Sequence, residues 1–543
     1  MITRGHETRV DAAQVCLFVL LLIAPFEPRF TVPLGLFRLS LIEAVAIACF
    51  AVLAFSSASL HGRTRLAPPL LALCLMVVVA LFSAGLAATD PARSLKFALR
   101  LGAMTTFAIL VARLGESRLR WGFGALALSG SVASALALLE GRGVRSLDVL
   151  LGVFRDTPFN VAGVRRASAG SEYPNLGAAM ILYALLAGVT LLGSRPWLRA
   201  SFVLVLTAGL SFTYSRGAWL AGLAGLAVLS YFERSRFRFL PAALYLGVLG
   251  LFVSGQEISQ IRLGGENAND FYAAVYQAPP HLEMAPAARS VVPVTVRNVG
   301  RRPWRKAEEI HLSYHLYQHA GRPLVDGPRT DLPRDVLPGE TVAIDAILRA
   351  PAKPGEYLLM WDLVHEDTTW FSGQGVKPGV ARLTVGNPPT TTTAVSEGEA
   401  LQAIPDTLAW RPSRLELWRI ALRMWAESPF LGVGPDNFRW TYGRMAGRMT
   451  FDTRVFANNM FLEFAATLGT FGLAAFAAAL VFALKDGARA ALRSDAALIA
   501  LSILVAMTVH GLADYVLAFT GHYLVFGFAV GVLSRVAPDD EPR

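Results

Sequence analysis

Apolar residues along this chain come mostly in long unbroken runs. Runs near 12–26, 39–56, 67–88, 96–114, 121–139, 174–193, 197–214, 217–232 and 239–255 hold few charges, and three more follow a long gap, near 459–484, 495–516 and 518–535. A helix needs about 17–25 apolar residues to cross a hydrocarbon core of ~30 Å. The pattern predicts about twelve transmembrane helices. Within the gap the period changes to two. "SVVPVTVRNVG", "EIHLSYHLYQ", "ETVAIDAILRA" and "GEYLLMWDLVHE" alternate apolar and polar residues between the breakers "NVG", "LPGE" and "KPGE", as strands joined by turns do. This stretch reads as a β-sandwich of about seven strands.

The order of elements divides the chain into six parts: a membrane region of about nine helices (1–255), a connector (256–279), the inserted sandwich (280–386), a Pro/Thr-rich linker (387–410), an amphipathic helix with a loop (411–458) and a membrane region of about three helices (459–543). Composition supports a polytopic α-helical membrane protein. Of 543 residues, 54% are hydrophobic and 17% charged, and the mean hydropathy is +0.46, which excludes an ordinary soluble domain. A net charge of +10 would suit nucleic acid in a soluble chain, but here the arginines cluster in short connections. Arg63/Arg65, Arg113/Arg118/Arg120, Arg195/Arg199, Arg234/Arg236/Arg238 and Lys485/Arg489/Arg493 fall in alternate loops. The positive-inside rule puts those loops and both termini in the cytoplasm. The 140–173 loop, the 215–217 turn, the 256–458 region and the turn near Thr520 then lie outside. A multi-pass protein of the cytoplasmic membrane, with lipids and no nucleic acid as partners, is expected. The first run has no small-residue cleavage site after it and reads as a retained span.

Candidate chemistry follows from this layout. Cys16, Cys49 and Cys74 lie in apolar runs without metal-ligand spacing. His311, His315 and His319 are four apart, but four residues of strand span ~13 Å, too far for one ion, so a solvated strand face is expected and no metal or other cofactor is called for. Trp361, Trp370 and Phe371 either line a glycan platform or fill the sandwich core. Arg216, in "SFTYSRGAWLAGLAG", sits at an external helix junction, where an arginine is costly without a partner or substrate; the plainer alternative is snorkelling beside Tyr214 and Trp219. The stripe Gly217, Ala221, Gly225 reads as helix packing. In "RPSRLELWRIALRMWAESPFLGVGPDNF", Leu415, Trp418, Ile420, Leu422 and Trp425 recur at helical spacing among Arg411, Arg414, Arg419 and Arg423. That predicts an amphipathic helix on the external surface.

"EYPNLGAAM", "SRGAWLA", "RLELW" with "ESPFLGVGPDNF", and "NNMFLEFAATLG" occur in that order, and with the twelve-span plan they resemble the O-antigen ligase superfamily, which also holds lipid-linked glycan polymerases and protein O-oligosaccharyltransferases. The resemblance implies a GT-C-like fold and a glycosyltransferase that passes a glycan from undecaprenyl pyrophosphate to an acceptor hydroxyl, with inversion and without metal. The acceptor would be a glycolipid, another glycan or a protein. The sandwich resembles immunoglobulin-like modules attached to enzymes of surface polysaccharides. Carried over by motif, Arg216 and Arg414 would clamp the pyrophosphate. Asn458 stands where ligases carry a His, ten intervening residues before Gly469; an amide takes no proton near neutral pH, so it orients substrate or caps the helix. Glu172, Asn175, Asp436, Asn459 and Glu463 complete the donor- or substrate-binding set, with Glu172, Asp436 and Glu463 as candidate bases. His510 and Asp514, at i and i+4, read as a structural pair on one helix face. Two other readings stay open. One is a non-catalytic lipid-linked glycan binding or export component whose sandwich recruits a partner; the other is a transporter.

Overall fold

The structure is a computed structural model that describes residues 11–34, 37–58, 66–144, 146–155, 159–161, 164–235, 237–255, 271–318, 325–366, 369–372, 376–386, 412–447 and 451–535. The linker at 387–410, Arg411 and His319 lie outside these. The apolar runs form α1 (Ala12–Ile23), α2 (Leu41–Ala58), α3 (Pro68–Leu86), α4 (Pro91–Ala112) and α5 (Glu116–Gly141). After a short α6 (Leu147–Leu151) come α7 (Pro174–Leu191), α8 (Pro196–Ser211), α9 (Arg216–Phe232) and α10 (Leu240–Ser254). The C-terminal part holds α11 (Arg414–Glu427), α12 (Phe438–Met445), α13 (Met460–Ala490), α14 (Asp495–Gly511) and α15 (Thr520–Leu533). Five of these, α3, α4, α5, α7 and α13, are long and apolar enough to cross a membrane; α1, α2, α8, α9, α10, α14 and α15 are shorter apolar helices. Each apolar run of the sequence coincides with one of the twelve.

At the centre, α7 is buried on every side from Leu176 to Val189. By contrast, α3 turns Leu71, Leu75, Val78 and Phe82 outward, as a lipid-facing helix does. The loop after α5 is pinned from inside. Buried Glu140 pairs with buried Arg155 and accepts from the Ser168 amide at 2.8 Å, while Arg155 also donates to Ser168 Oγ at 2.9 Å. Each buried charge therefore has a partner, as burial demands.

One break interrupts the helices. Inside α13, Gly469 has φ 66° and ψ −166°, a conformation essentially confined to glycine. The loop after α11 lies in the gap. Thr470 N donates to Pro429 O at 2.7 Å, Phe471 N to Phe430 O at 3.4 Å, Val433 N to Ala466 O at 2.9 Å and Gly434 N to Thr467 O at 3.1 Å. Main-chain groups freed by the kink are thus satisfied by the loop, which is what backbone inside an apolar bundle requires. The fit is tight in both directions: a Cβ on Gly469 would stand 2.3 Å from the Phe430 carbonyl, and one on Gly432 2.4 Å from the Thr467 carbonyl carbon.

The inserted region forms two sheets around one core. Strands β1 (Thr31–Leu34) and β2 (Phe37–Ser40), and β3 (Phe159–Val161) and β4 (Val164–Arg166), are short hairpins of the helical part. The inserted strands are β5 (Ala274–Gln277), β6 (His281–Met284), β7 (Arg289–Asn298), β8 (Ile310–Tyr317), β9 (Val325–Asp326), β10 (Thr330–Asp331), β11 (Thr341–Arg349), β12 (Gly355–His365), β13 (Thr369–Trp370) and β14 (Gly379–Val385). One sheet runs β10-β8-β12-β14-β6, with β9 on β8 and β13 on β12; the other runs β11-β7-β5. Val294, Ile344, Leu312, Trp361 and Phe371 meet in the shared core. Trp361 and Phe371 are therefore not available as a glycan platform, whereas Trp370 packs on His315 with ring centroids 4.1 Å apart and planes tilted by 53°. The core also begins earlier than the expected boundary at 280. Buried Phe271 and Tyr272 and strand β5 lie in the stretch read as a connector, because four residues give too short an alternation to register.

His311 and His315 face aspartates on neighbouring strands, Asp331 at 2.9 Å and Asp326 at 2.7 Å, rather than open solvent. Burial opposes charge on His315, but hydrogen bonds to Asp362 and Asp326 outweigh it and raise its pKa. Folding raises this pKa. The stabilisation is therefore complete below the ordinary histidine value of about 6.5 and lost as pH rises through the folded value. The protection of β8 and β9 amides relative to their intrinsic exchange rate, measured in the full chain, should fall as pH rises above about 6.5, and His315→Gln should remove that fall; equal falls in both proteins would contradict it.

Candidate functional site

The start of α7 joins two groups of polar side chains at one end of the helices. The first group is an open cavity of ≈ 250 Å³. Arg29, Arg38, Lys96, Arg100, Arg439 and Arg454 line it, against three carboxylates, Glu27, Glu172 and Asp436. These cations come from the segment after α1, from α4, from α12 and from the loop before α13. Several are held rigid: Arg439 is bidentate to Asp436 at 2.7 and 2.8 Å, Arg454 to Asp452 at 2.9 Å, and Arg100 reaches Glu43 at 2.6 Å. The "GPDNF" turn is tied to α4, since Asn437 Nδ2 donates to Ser94 Oγ at 2.7 Å and Ser94 Oγ to Pro435 O at 2.9 Å. With its φ at 61°, Asp436 is aimed into the cavity mouth beside Lys96. Glu172 is exposed at the rim, hydrogen-bonded with Tyr173, whose phenol is pushed up by burial and by that carboxylate.

The second group gathers where α7, α9, α11, α13 and α14 end. Arg216 opens α9 and Arg414 opens α11, both half-buried. Asn175 is engaged at both ends of its amide: Arg166 Nη2 donates to Oδ1 at 2.7 Å and Nδ2 donates to Asp514 Oδ2 at 2.6 Å. Arg166 also donates to Thr213 O, at 2.8 Å. Asn459 is the N-cap of α13, accepting from the Phe461 and Leu462 amides at 3.0 and 3.1 Å and donating to Leu512 O at 2.9 Å. The capping role therefore falls to Asn459. Asn458 precedes the cap, with φ at 51°, and its partly exposed side chain makes no hydrogen bond among the described residues.

Other expectations shift in detail. Glu463 is fully buried with Oε2 accepting from the Ala457 amide at 2.8 Å, so it braces the chain ahead of α13 rather than facing the cavity. Helix α14 stops at Gly511, so Asp514 lies in the following turn and its carboxylate binds Asn175 and the Tyr515 amide instead of sharing a helix face with His510. Helix α11 buries Leu417, Ile420, Ala421 and Met424 against Phe438 and Tyr442. Leu415 and Leu422 point outward. The cavity cations and Arg166 escaped the sequence reading. Arg100 and Lys96, two charges inside a hydrophobic run, were the available signal.

A protein-family model described as O-antigen ligase matches residues 390–477. That stretch contains α11, the loop lying in the α13 break, α12, Asn458 and the first half of α13. No curated protein matches the chain. The apolar helices together with this domain suggest a membrane protein, and the domain suggests O-antigen ligase-like glycan transfer. The chain carries an O-antigen ligase domain at residues 390–477, which supports its membership of the O-antigen ligase superfamily.

Proposed function

We propose that the protein is an inverting, metal-independent glycosyltransferase that moves a glycan from undecaprenyl pyrophosphate to an acceptor hydroxyl at the external face of the cytoplasmic membrane. The observation that carries this reading is the cationic cavity, built partly from the O-antigen ligase domain and linked through the start of α7 to the polar group that holds Asn175. A departing pyrophosphate gathers negative charge, and fixed guanidiniums in a water-poor site stabilise it by bidentate, charge-assisted bonds. Arg216 and Arg414 are assigned that clamp. The cavity's surplus of positive charge draws an anionic headgroup to this end of the helices, with Glu172, Asp436 and the Asn458 amide contacting the sugar. Asn175, Asn459 and Glu463 act by holding the surrounding chain in place.

All twelve apolar helices are taken as spans in a GT-C-like arrangement, with both termini cytoplasmic and the two-sheet region an external immunoglobulin-like module. Asn458 supports a second reading, since an amide gives no general base: a binding or export component that keeps the donor. Purified protein in lipid nanodiscs, loaded with lipid-linked glycan and an envelope extract, decides between them. Acceptor-dependent release of undecaprenyl pyrophosphate is expected; retention of donor without release would favour the second reading.

A further inference from the structure

We propose that His510 is the proton acceptor for the attacking hydroxyl. This rests on the glycan-transfer reading above. A hydroxyl nucleophile must lose its proton, and the residues assigned so far do not take it: guanidiniums stay protonated and an amide is not a base. Glu172 is exposed at the cavity rim and hydrogen-bonded with Tyr173, Glu463 is buried with Oε2 held by the Ala457 amide, and Asp436 is occupied by both arms of Arg439.

His510 ends α14 at the junction of the second group. It is 1% exposed, and its Nδ1 has no hydrogen-bond partner among the described residues. The imidazole edge lies against the residue after Arg216, since a β-carbon built on Gly217 would be 3.1 Å from His510 Cδ2. From α13, Asn459 holds Leu512 O at 2.9 Å, which fixes Asn458 close by. The charges acting on the ring are Asp514, from the turn beyond its own helix, and Arg414, from α11. His522 of α15 also senses it, and Tyr183 of α7 senses Asp514. The Arg166–Asn175–Asp514 chain holds that carboxylate in place. A nitrogen base thus lies against the residue after Arg216 and within electrostatic reach of Arg414.

In the step proposed, the acceptor oxygen bonds to the anomeric carbon while the bond from that carbon to the pyrophosphate oxygen breaks. The bonding pair leaves with undecaprenyl pyrophosphate beside Arg216 and Arg414. The hydroxyl proton passes to Nδ1 of His510 and later to water. General-base catalysis of this kind contributes about 10²–10⁴-fold.

The test uses the full chain in nanodiscs with lipid-linked glycan and acceptor. His510→Gln should lower the turnover rate by about 10²–10⁴-fold with donor affinity and thermal unfolding unchanged, and should erase the acid-side fall in rate expected of the natural protein. Asn458→His added to His510→Gln should restore part of the rate, because it returns an imidazole to the same junction. His510→Gln at the natural rate with the same acid limb overturns the proposal, as does a loss of rate matched by lost donor affinity or stability without rescue. No release from the natural protein would instead overturn the transfer reading, and this proposal with it.

Discussion

Arg414→Ala is expected to lower release of undecaprenyl pyrophosphate by about 10²–10³-fold, the usual loss when one fixed donor to a developing anion is removed. Arg414 belongs to the first turn of α11, and that helix is anchored by buried Leu417, Ile420, Ala421 and Met424. Its guanidinium is therefore presented by a rigid base and loses little freedom when substrate binds. Arg414→Lys should recover only part of the rate, since an ammonium keeps charge but not the planar fork. Arg423 on the same helix provides the control. It is exposed and paired with Glu427 at 3.0 Å, so Arg423→Ala should leave the rate unchanged. If the two alanine variants behave alike, the clamp assignment fails.

Gly469→Ala is expected to destabilise the fold by more than the ~1–3 kcal/mol that a strained backbone conformation costs. A methyl there meets the Phe430 main chain at 2.3 Å, and backbone cannot step aside as a flexible side chain can. The 429–434 loop would have to leave the gap, exposing unpaired main-chain groups in apolar surroundings. Thermal unfolding monitored by size exclusion should show a clear fall in midpoint. Gly124→Ala in α5, where no heavy atom lies within 4 Å of the new methyl, should change nothing. A Gly469→Ala protein as stable as that control would mean that the loop does not depend on the break.

Helix positions were legible because apolar length is a one-dimensional signal. Each run from 12–26 to 518–535 became a helix, and period-two alternation marked the strands well enough to place β7, β8, β11 and β12. Short or locally polar elements were not legible. Strand β5 and the hairpin β1–β2 are four residues per strand, and Lys96 and Arg100 counted only as charges within a hydrophobic run. Motif order placed Arg216 and Arg414 at helix starts, where the structure has them. The site was not legible where it depends on packing: Asn175 binds Asp514 across 339 positions, and Asn458 and Asn459, adjacent and alike, take different roles because only one falls at the N-cap.

The loop seated in the α13 break also determines which parts move together. Four main-chain hydrogen bonds join residues 429–434 to 466–471, and the loop continues directly from α11. Arg414 and Asn458 thus ride on one lever with no joint between them. A displacement of α11 by an arriving lipid would be passed through this loop to α13, whose mouth is in turn tied to the end of α14 by Asn459 and Leu512 O.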